Sequence, residues 1–433
     1  MRKLSKVLAI VMVLSMIAVL FAGCGDKKPS DDTTTTTAEN YSELVALKND
    51  AEIPAEVTFD DFKIGFIFLH DENSTYDKNF MDAAKAAQAK LGLKDEQVIF
   101  KVGIGEDDTC YQAAKELAEA GCDVVFADSF GHEPFMIQAA KEFSDVQFCH
   151  ATGTNALTAG VKNYHNAFAS IYEGRYLAGI AAGVKLNEMI STGKITADKA
   201  KMGYVGAHPY AEVISGLTSF YLGAKSVCPS VTMDVKYTGS WFDIAKEKET
   251  AKALIASGCV LVSQHADSEG APKACEEAGV PNVGYNISTI NLGPTTALIS
   301  SKISWEPYFE LIMKCAAAGK TIPTDWCGTI ATGSVQLTEL NDAAYADKGV
   351  AAKAAIEAAQ AKLKDGSLHV FDISTFTVGG KALVEGAPAD VIYDEKFTPD
   401  TKAVKGGYFQ ESTARSAPYF FMTVDGITGV IPA

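Results

Sequence analysis

The feature that most constrains this chain is a strand–helix alternation that runs once and then runs again. Apolar, β-branched runs predict strands at 63–70, 98–102, 123–128 and 146–150. Helical spacing of apolar positions fills the gaps at 76–91, 109–120 and 134–143. A long helix at 172–188 follows, and the rhythm restarts. Strands are expected at 201–207, 231–238, 260–263 and 282–285, with helices at 211–227, 244–257 and 271–278. Such alternation calls for parallel strands joined by crossover helices. The halves also match locally. Lys-Ile-Gly-Phe-Ile-Phe at 63 parallels Lys-Met-Gly-Tyr-Val-Gly at 201, and Glu-Ala-Gly-Cys-Asp-Val-Val-Phe at 119 parallels Ala-Ser-Gly-Cys-Val-Leu-Val-Ser at 256. A repeat of about 138 residues implies two similar Rossmann-like lobes with parallel sheets. The cleft between two such lobes is a favoured place for a small ligand.

These patterns divide the chain. Residues 59–168 make an N-terminal lobe and 169–289 a C-terminal one. Past Asn286 the rhythm loosens, with a strand expected at 297–301 and a helix at 305–318. Residues from about 290 to 326 are assigned back to the first lobe, and 327–433 to the second lobe and a tail. The tail holds an alanine-rich helix at about 347–363 and a strand-like run at 370–373, and reads mostly as loop from 379.

The start of the chain has a different logic. Arg2, Lys3 and Lys6 precede an apolar stretch at 7–21, which is too short for a typical membrane span and fits a signal peptide. Leu-Phe-Ala-Gly-Cys at 20–24 places small residues before a cysteine, as in a bacterial lipobox. Residues 1–23 are therefore expected to be removed and Cys24 to be lipidated. Residues 24–58 are polar and include five consecutive threonines, which predicts a flexible tether with weak helical tendency at 41–49. The formal charge of −16 opposes binding to nucleic acid and to anionic lipid surfaces, so contact with a membrane needs the covalent anchor. None of the eight cysteines after Cys24 forms a C-x-x-C pair, and buried free thiols are expected.

No catalytic signature is present. G-x-G-x-x-G, a P-loop, H-E-x-x-H and G-x-S-x-G are all missing, and the seven histidines are scattered. No enzyme activity, metal or cofactor is expected. Ligand-type residues are more coherent, because they recur where strands end. Asp71, Asn73 and Tyr76 follow the first strand, and Ser129 and Phe130 the third. Trp241, Asp267 and Asn286 follow strands of the second lobe, and Lys302 and Trp305 stand where the chain is expected to return. In open α/β sheets, ligands sit at the carboxyl ends of strands. Aromatic faces beside carboxylates and amides suit a flat heterocycle joined to a polyol. Trp241 lies in a turn opened by Gly239, and Ser240 and Asp243 have the spacing of a capping box.

Four segments then resemble one known family. They are Tyr-Glu-Gly-Arg-Tyr-Leu-Ala-Gly-Ile-Ala-Ala-Gly (172–183), Gly-Ser-Trp-Phe-Asp-Ile-Ala-Lys-Glu-Lys-Glu (239–249), Ser-Gln-His-Ala-Asp-Ser (263–268) and Gly-Val-Pro-Asn-Val-Gly-Tyr (279–285). Together they are similar to the basic membrane protein family, PnrA-like substrate-binding lipoproteins of ABC importers, over about residues 60–330. The resemblance implies a type I periplasmic-binding-protein fold and a nucleoside in the cleft. It implies that the aromatic at 241 stacks on the base, and that the partners are ABC permease and ATPase subunits. A monomer on the extracytoplasmic face of the cell membrane is expected. The chain departs from the family pattern in two places. Asn73 and Ser74 stand where glycine and a large aromatic are frequent, which leaves Tyr76 or Phe130 to supply the second stacking face. Asn286 and Ser288 replace two usual aspartates. A receptor for another aromatic or sugar-like solute is the alternative, and an extracellular nucleoside hydrolase a more distant one.

Overall fold

A computed structural model describes residues 41–431. The leader, Cys24 and most of the tether lie outside these residues. The first lobe contains β1 (Ile64–Ile67), β2 (Val98–Lys101), β3 (Val124–Ala127), β4 (Gln147–Ala151) and β5 (Tyr164–Ala169). Helices α1 (Thr75–Leu91), α2 (Asp108–Glu119) and α3 (Glu133–Glu142) link its first four strands. Helix α4 (Ile171–Ser191) leads into the second lobe. There β6 (Lys201–Gly206), α5 (Ala211–Val227), β7 (Thr232–Tyr237), α6 (Ile244–Ala256), β8 (Leu261–Gln264), α7 (Gly270–Ala278), β9 (Asn282–Tyr285) and β10 (Ala297–Ile303) follow in turn. The chain returns to the first lobe for α8 (Glu306–Ala317) and β11 (Asp325–Gly328). It leaves again for β12 (Val335–Leu337), α9 (Val350–Lys364) and a tail that ends in β13 (Ile427–Thr428).

The first sheet runs β11–β5–β4–β3–β1–β2 and is parallel throughout. The second runs β12–β10–β9–β8–β6–β7–β13, and only β12 is antiparallel to its neighbour. Strands β1 and β3 are buried along their whole length, which is why they read as unbroken apolar runs rather than alternating ones. The two-lobed α/β architecture is the one expected from the repeat.

Helix α4 is apolar on nearly every face and packs on α5. The approach is close: a Cβ on Gly179 would overlap the carbonyl oxygen of Phe220, and one on Gly223 would overlap that of Tyr176. The glycines of segment 172–183 thus serve helix packing.

Several expectations need correction. Ala297–Ile303 pairs with β9, so the chain returns to the first lobe after Ile303 and not near 290. An apolar run extends the open edge of β9 because this satisfies its backbone groups. Residues 41–49 hold no helix. Ser42–Glu43 pairs with Thr401–Lys402, and the Asn49 amide brackets Cys327, donating to its carbonyl at 2.8 Å and accepting from its N–H at 2.9 Å. That end of the expected tether is ordered against the body. The run 370–373 is not a strand. Phe371 instead stacks on Phe420 at 4.6 Å and meets Tyr172 at 5.4 Å, so this part of the tail joins the main core. All eight described cysteines are buried and unpaired.

Candidate functional site

A cavity opens between the lobes, with about 380 Å³ of empty space including its mouth. Every wall comes from the carboxyl end of a strand or the first turn of the helix that follows it. The first lobe contributes His70 and Leu69 after β1, Tyr76 and Asp77 from α1, Ser129 and Phe130 after β3, and Thr152 after β4. The second contributes Glu212 from α5, Trp241 after β7, His265 and Asp267 after β8, and Tyr285 from β9.

On the first-lobe side, Ser74 caps α1. Its hydroxyl accepts from the Asp77 N–H at 3.3 Å and donates to the Asp77 carboxylate at 2.5 Å. The His70 N–H donates to the other carboxylate oxygen at 2.8 Å. Burial acts to raise the Asp77 pKa, but hydrogen bonds from His70 and Ser74 outweigh it and hold the group below its ordinary value. Neighbouring Asp128 goes the other way. Burial, and then the charge of Asp77, push it well above the ordinary carboxylate range. The two behave as a pair in which Asp77 is ionised and Asp128 keeps its proton. The Tyr76 hydroxyl donates to the Asp128 carbonyl at 2.9 Å, which fixes the ring against the cavity.

On the second-lobe side, Gly239 has φ 70° and turns the chain after β7. The cap of α6 is Asp243, not Ser240: its carboxylate accepts from the Lys246 N–H at 3.0 Å, and Glu247 accepts from the Asp243 N–H at 3.1 Å. The helix therefore begins at Ile244, and Trp241 stays in the turn. The Trp241 carbonyl accepts from the Asp267 N–H at 2.9 Å, and its ring meets His208 edge to face at 5.0 Å. Burial first, and then the carboxylates of Glu247, Asp77 and Glu212, raise the Asp267 pKa well above its usual range. His265 lies 3.1 Å from Glu212, and burial followed by the charge of Arg175 holds its pKa down, so the imidazole is neutral. The Arg175 guanidinium covers the Tyr285 ring at 3.4 Å and donates to the Gln264 carbonyl at 2.9 Å.

The lobes touch across the cleft. The Thr75 N–H donates to the Asp267 carbonyl at 2.8 Å, His70 meets Phe242 at 5.3 Å between ring centres, and Phe130 meets Tyr210 at 5.4 Å.

The structure gathers Tyr76, Ser129, Phe130, Trp241 and Asp267 around this cavity. Asn286 stands behind them; its backbone is left-handed (φ 68°) and its amide donates to the Asp267 carboxyl at 3.3 Å. The other candidates are elsewhere. The Asp71 carboxylate closes an exposed turn, accepting from the Asn73 N–H at 3.0 Å and the Asn73 amide at 2.9 Å. Lys302 lines a separate depression with Ser288 and Glu339. Trp305 is core: it is fully buried and stacks on Phe80 at 4.3 Å. Leu69, His70, Asp77, Thr152, Glu212, His265 and Tyr285 are not among the candidates read from the sequence. The repeat itself carried a signal for two of them, since Asp77 and Glu212 both sit in the first turn of the first helix of a lobe.

Two α/β lobes whose strand ends face each other around a shared cavity have the architecture of a two-lobed solute-binding protein. The chain belongs to the Bmp family, whose model, described as ABC transporter substrate-binding protein PnrA-like, matches residues 67–367. It is thus a solute-binding protein of an ABC transporter, from an extracytoplasmic substrate-binding family that is not an enzyme family. The resemblance drawn from the four segments is the right one. Among relatives, a purine-binding protein of Brucella abortus (strain 2308) is 33% identical over 313 residues, which are 71% of this chain and 83% of that protein. A putative ABC transporter glucose-binding protein of Haloferax volcanii is 33% identical over 225 residues, 52% of this chain and 54% of that one. A solute-binding protein of an Aeropyrum pernix K1 ABC transporter system superposes with a TM-score of 0.61 at 15% identity, over 72% of this chain and 93% of that one, and shares the fold.

Proposed function

We propose that the protein is a lipid-anchored receptor that closes its lobes on a nucleoside, a purine nucleoside in the first instance, and delivers it to a membrane permease with its ATPase subunits. One observation carries this reading: the aromatic faces of Trp241, Phe130 and Tyr76 share a cavity with the carboxyl groups of Asp77, Asp267 and Glu212. Rings stack on a base whatever its identity, and carboxyl groups hydrogen-bond the hydroxyls of a ribose, ionised ones as acceptors and protonated ones also as donors. The cross-cleft contacts agree with a closed form reached by hinge motion. The likeness to the Brucella purine-binding protein supports a purine. In this reading Cys24 carries the anchor, the body works as a monomer on the extracytoplasmic face, and no cofactor or nucleic acid takes part.

A sugar-like solute is the second reading, and the likeness to the putative glucose-binding protein of Haloferax favours it. Aromatic walls with carboxylates also suit a pyranose. Calorimetry with inosine, guanosine, adenosine and glucose, with product analysis by chromatography, separates these readings. Nucleoside binding without release of free base is expected. Binding of glucose alone selects the second reading, and appearance of free base makes the protein a hydrolase. Membrane fractionation of Cys24→Ala tests the anchor; retention in the membrane fraction overturns it.

A further inference from the structure

The cavity does not end at Trp241. A second chamber of about 420 Å³, its opening included, shares Phe130, Thr152, Glu212 and Trp241 with the first. Its outer wall is the C-terminal tail, through Tyr393, Phe397 and Pro418. These residues lie beyond the segment that the family model matches. An aromatic path joins the chambers: Trp241 lies 5.9 Å from Tyr210, Tyr210 5.4 Å from Phe130, and Phe130 meets Tyr393 edge to face at 6.3 Å.

The outer wall is firmly held. Arg415 is buried, and its guanidinium donates to the carbonyls of Ala417, Val391 and Pro418 at 3.1, 2.9 and 2.9 Å. Next to it the Ser416 N–H donates to Asp325 at 2.8 Å, which ties the tail to β11 of the first sheet. Strand β13 ties the tail to β7 of the second sheet. Phe397 has φ 52°, a conformation that bulky residues avoid unless their surroundings impose it, and its ring stacks on Phe421 at 3.8 Å. A strained aromatic held in place beside an open chamber points to a use for that chamber.

We propose that the tail-walled chamber is a ligand subsite that takes an uncharged, apolar or aromatic ring substituent on the base of the bound nucleoside. This rests on the nucleoside reading above and fixes an orientation within it. The carboxyl groups of Asp77 and Asp267 border only the inner chamber, so the ribose lies there. The base lies against Trp241, the shared wall, and its free edge faces outward. Arg415 is the one cationic side chain of the outer chamber; three of its N–H groups donate to carbonyls and its charge is faced by Asp390, Asp325 and Glu411, so no anion is matched there.

The test compares adenosine with N6-benzyladenosine by calorimetry on the wild type, Tyr393→Ala and Phe397→Ala. The wild type is expected to bind the benzyl derivative about ten-fold more tightly than adenosine, as for one added ring stacked on aromatic walls. Each variant is expected to lose that preference and keep its affinity for adenosine, which also shows that it folds. A wild type that binds the benzyl derivative no better than adenosine overturns the subsite and leaves the nucleoside reading standing. A preference that survives both substitutions does the same. Failure of both compounds to bind the wild type overturns the subsite, and failure of inosine and guanosine as well overturns the nucleoside reading with it.

Discussion

The backbone N–H of Thr75, the first residue of α1 in the first lobe, donates to the carbonyl of Asp267 in the second lobe at 2.8 Å. The first amides of a helix have no partner within it. Here the vacancy at the start of α1 is filled from across the cleft, by a residue whose carboxyl also borders the ligand cavity. The contact between the lobes and the proposed ligand site therefore share a residue.

Thr75→Pro removes this donor and little else. Proline is well tolerated at the first helical position, and the preceding Ser74 is extended (φ −77°, ψ 126°), as proline requires. Loss of one net hydrogen bond, about 1 kcal/mol, is expected to weaken nucleoside binding about five-fold in calorimetry. The melting temperature is expected to change little, because the bond forms between lobes. Unchanged affinity would mean that the bond is no part of closure.

Trp241→Ala is expected to weaken nucleoside binding by about 1–3 kcal/mol, the range for a base–aromatic stack. Trp241 is only partly buried in the turn after β7, so the thermal melt is expected to stay within a few degrees of the wild type. Full affinity in this variant would place the ligand elsewhere.

Trp305→Ala should do the opposite. Trp305 is 1% exposed and sits among Phe80, Phe126 and Phe309. Its truncation is expected to cost about 3–5 kcal/mol of stability in denaturant unfolding. A stable variant that has lost affinity would return Trp305 to the ligand site.

Gly179→Ala is expected to destabilise by about 1–3 kcal/mol, since the methyl group would meet the Phe220 carbonyl and force α4 and α5 apart. Differential scanning calorimetry reads this directly. An unchanged melt would show that the two helices have room to separate.

Glu173 gives a pH dependence with a defined sign. Burial raises its pKa from 4.5 to about 7, and it accepts from the Ile330 N–H at 2.7 Å. Between pH 4.5 and 7 the folded state holds a proton that the unfolded state has lost, so this group's contribution falls as pH rises. Glu173→Gln mimics the protonated form and keeps the acceptor. It is expected to match the wild type near pH 4.5 and to exceed it by on the order of 2–3 kcal/mol above pH 8. Parallel stability curves for the two proteins would refute the assignment.

Much of the fold was legible because the relevant signals are local. Residues Ile64–Ile67 are apolar on both faces since both faces of a parallel sheet are covered, and helix spacing marked α1 through α7 nearly to their ends. Strand ends are where α/β ligands sit, which is why Tyr76, Phe130, Trp241 and Asp267 stood out. Trp305 misled for a related reason. It also follows a strand, but α8 turns it into the first-lobe core, and no pattern in the sequence says which way a side chain at a strand end will face.

By itself, then, the sequence determined two α/β lobes, their parallel sheets, the family and five of the twelve residues of the cavity wall, all through short-range periodicity and contiguous segments. Only the tertiary structure decided that β10 stays in the second sheet, that Asp71 and Lys302 stand away from the cavity, and that the tail closes an outer chamber with Tyr393 and Phe397. Those outcomes depend on contacts between residues far apart in the chain: Ala297–Ile303 on β9, Ser416 on Asp325, Ile427–Thr428 on β7. Pairings of this kind are chosen by which backbone edges and buried polar groups remain to be satisfied once the lobes have formed, and that choice leaves no periodic trace in the sequence.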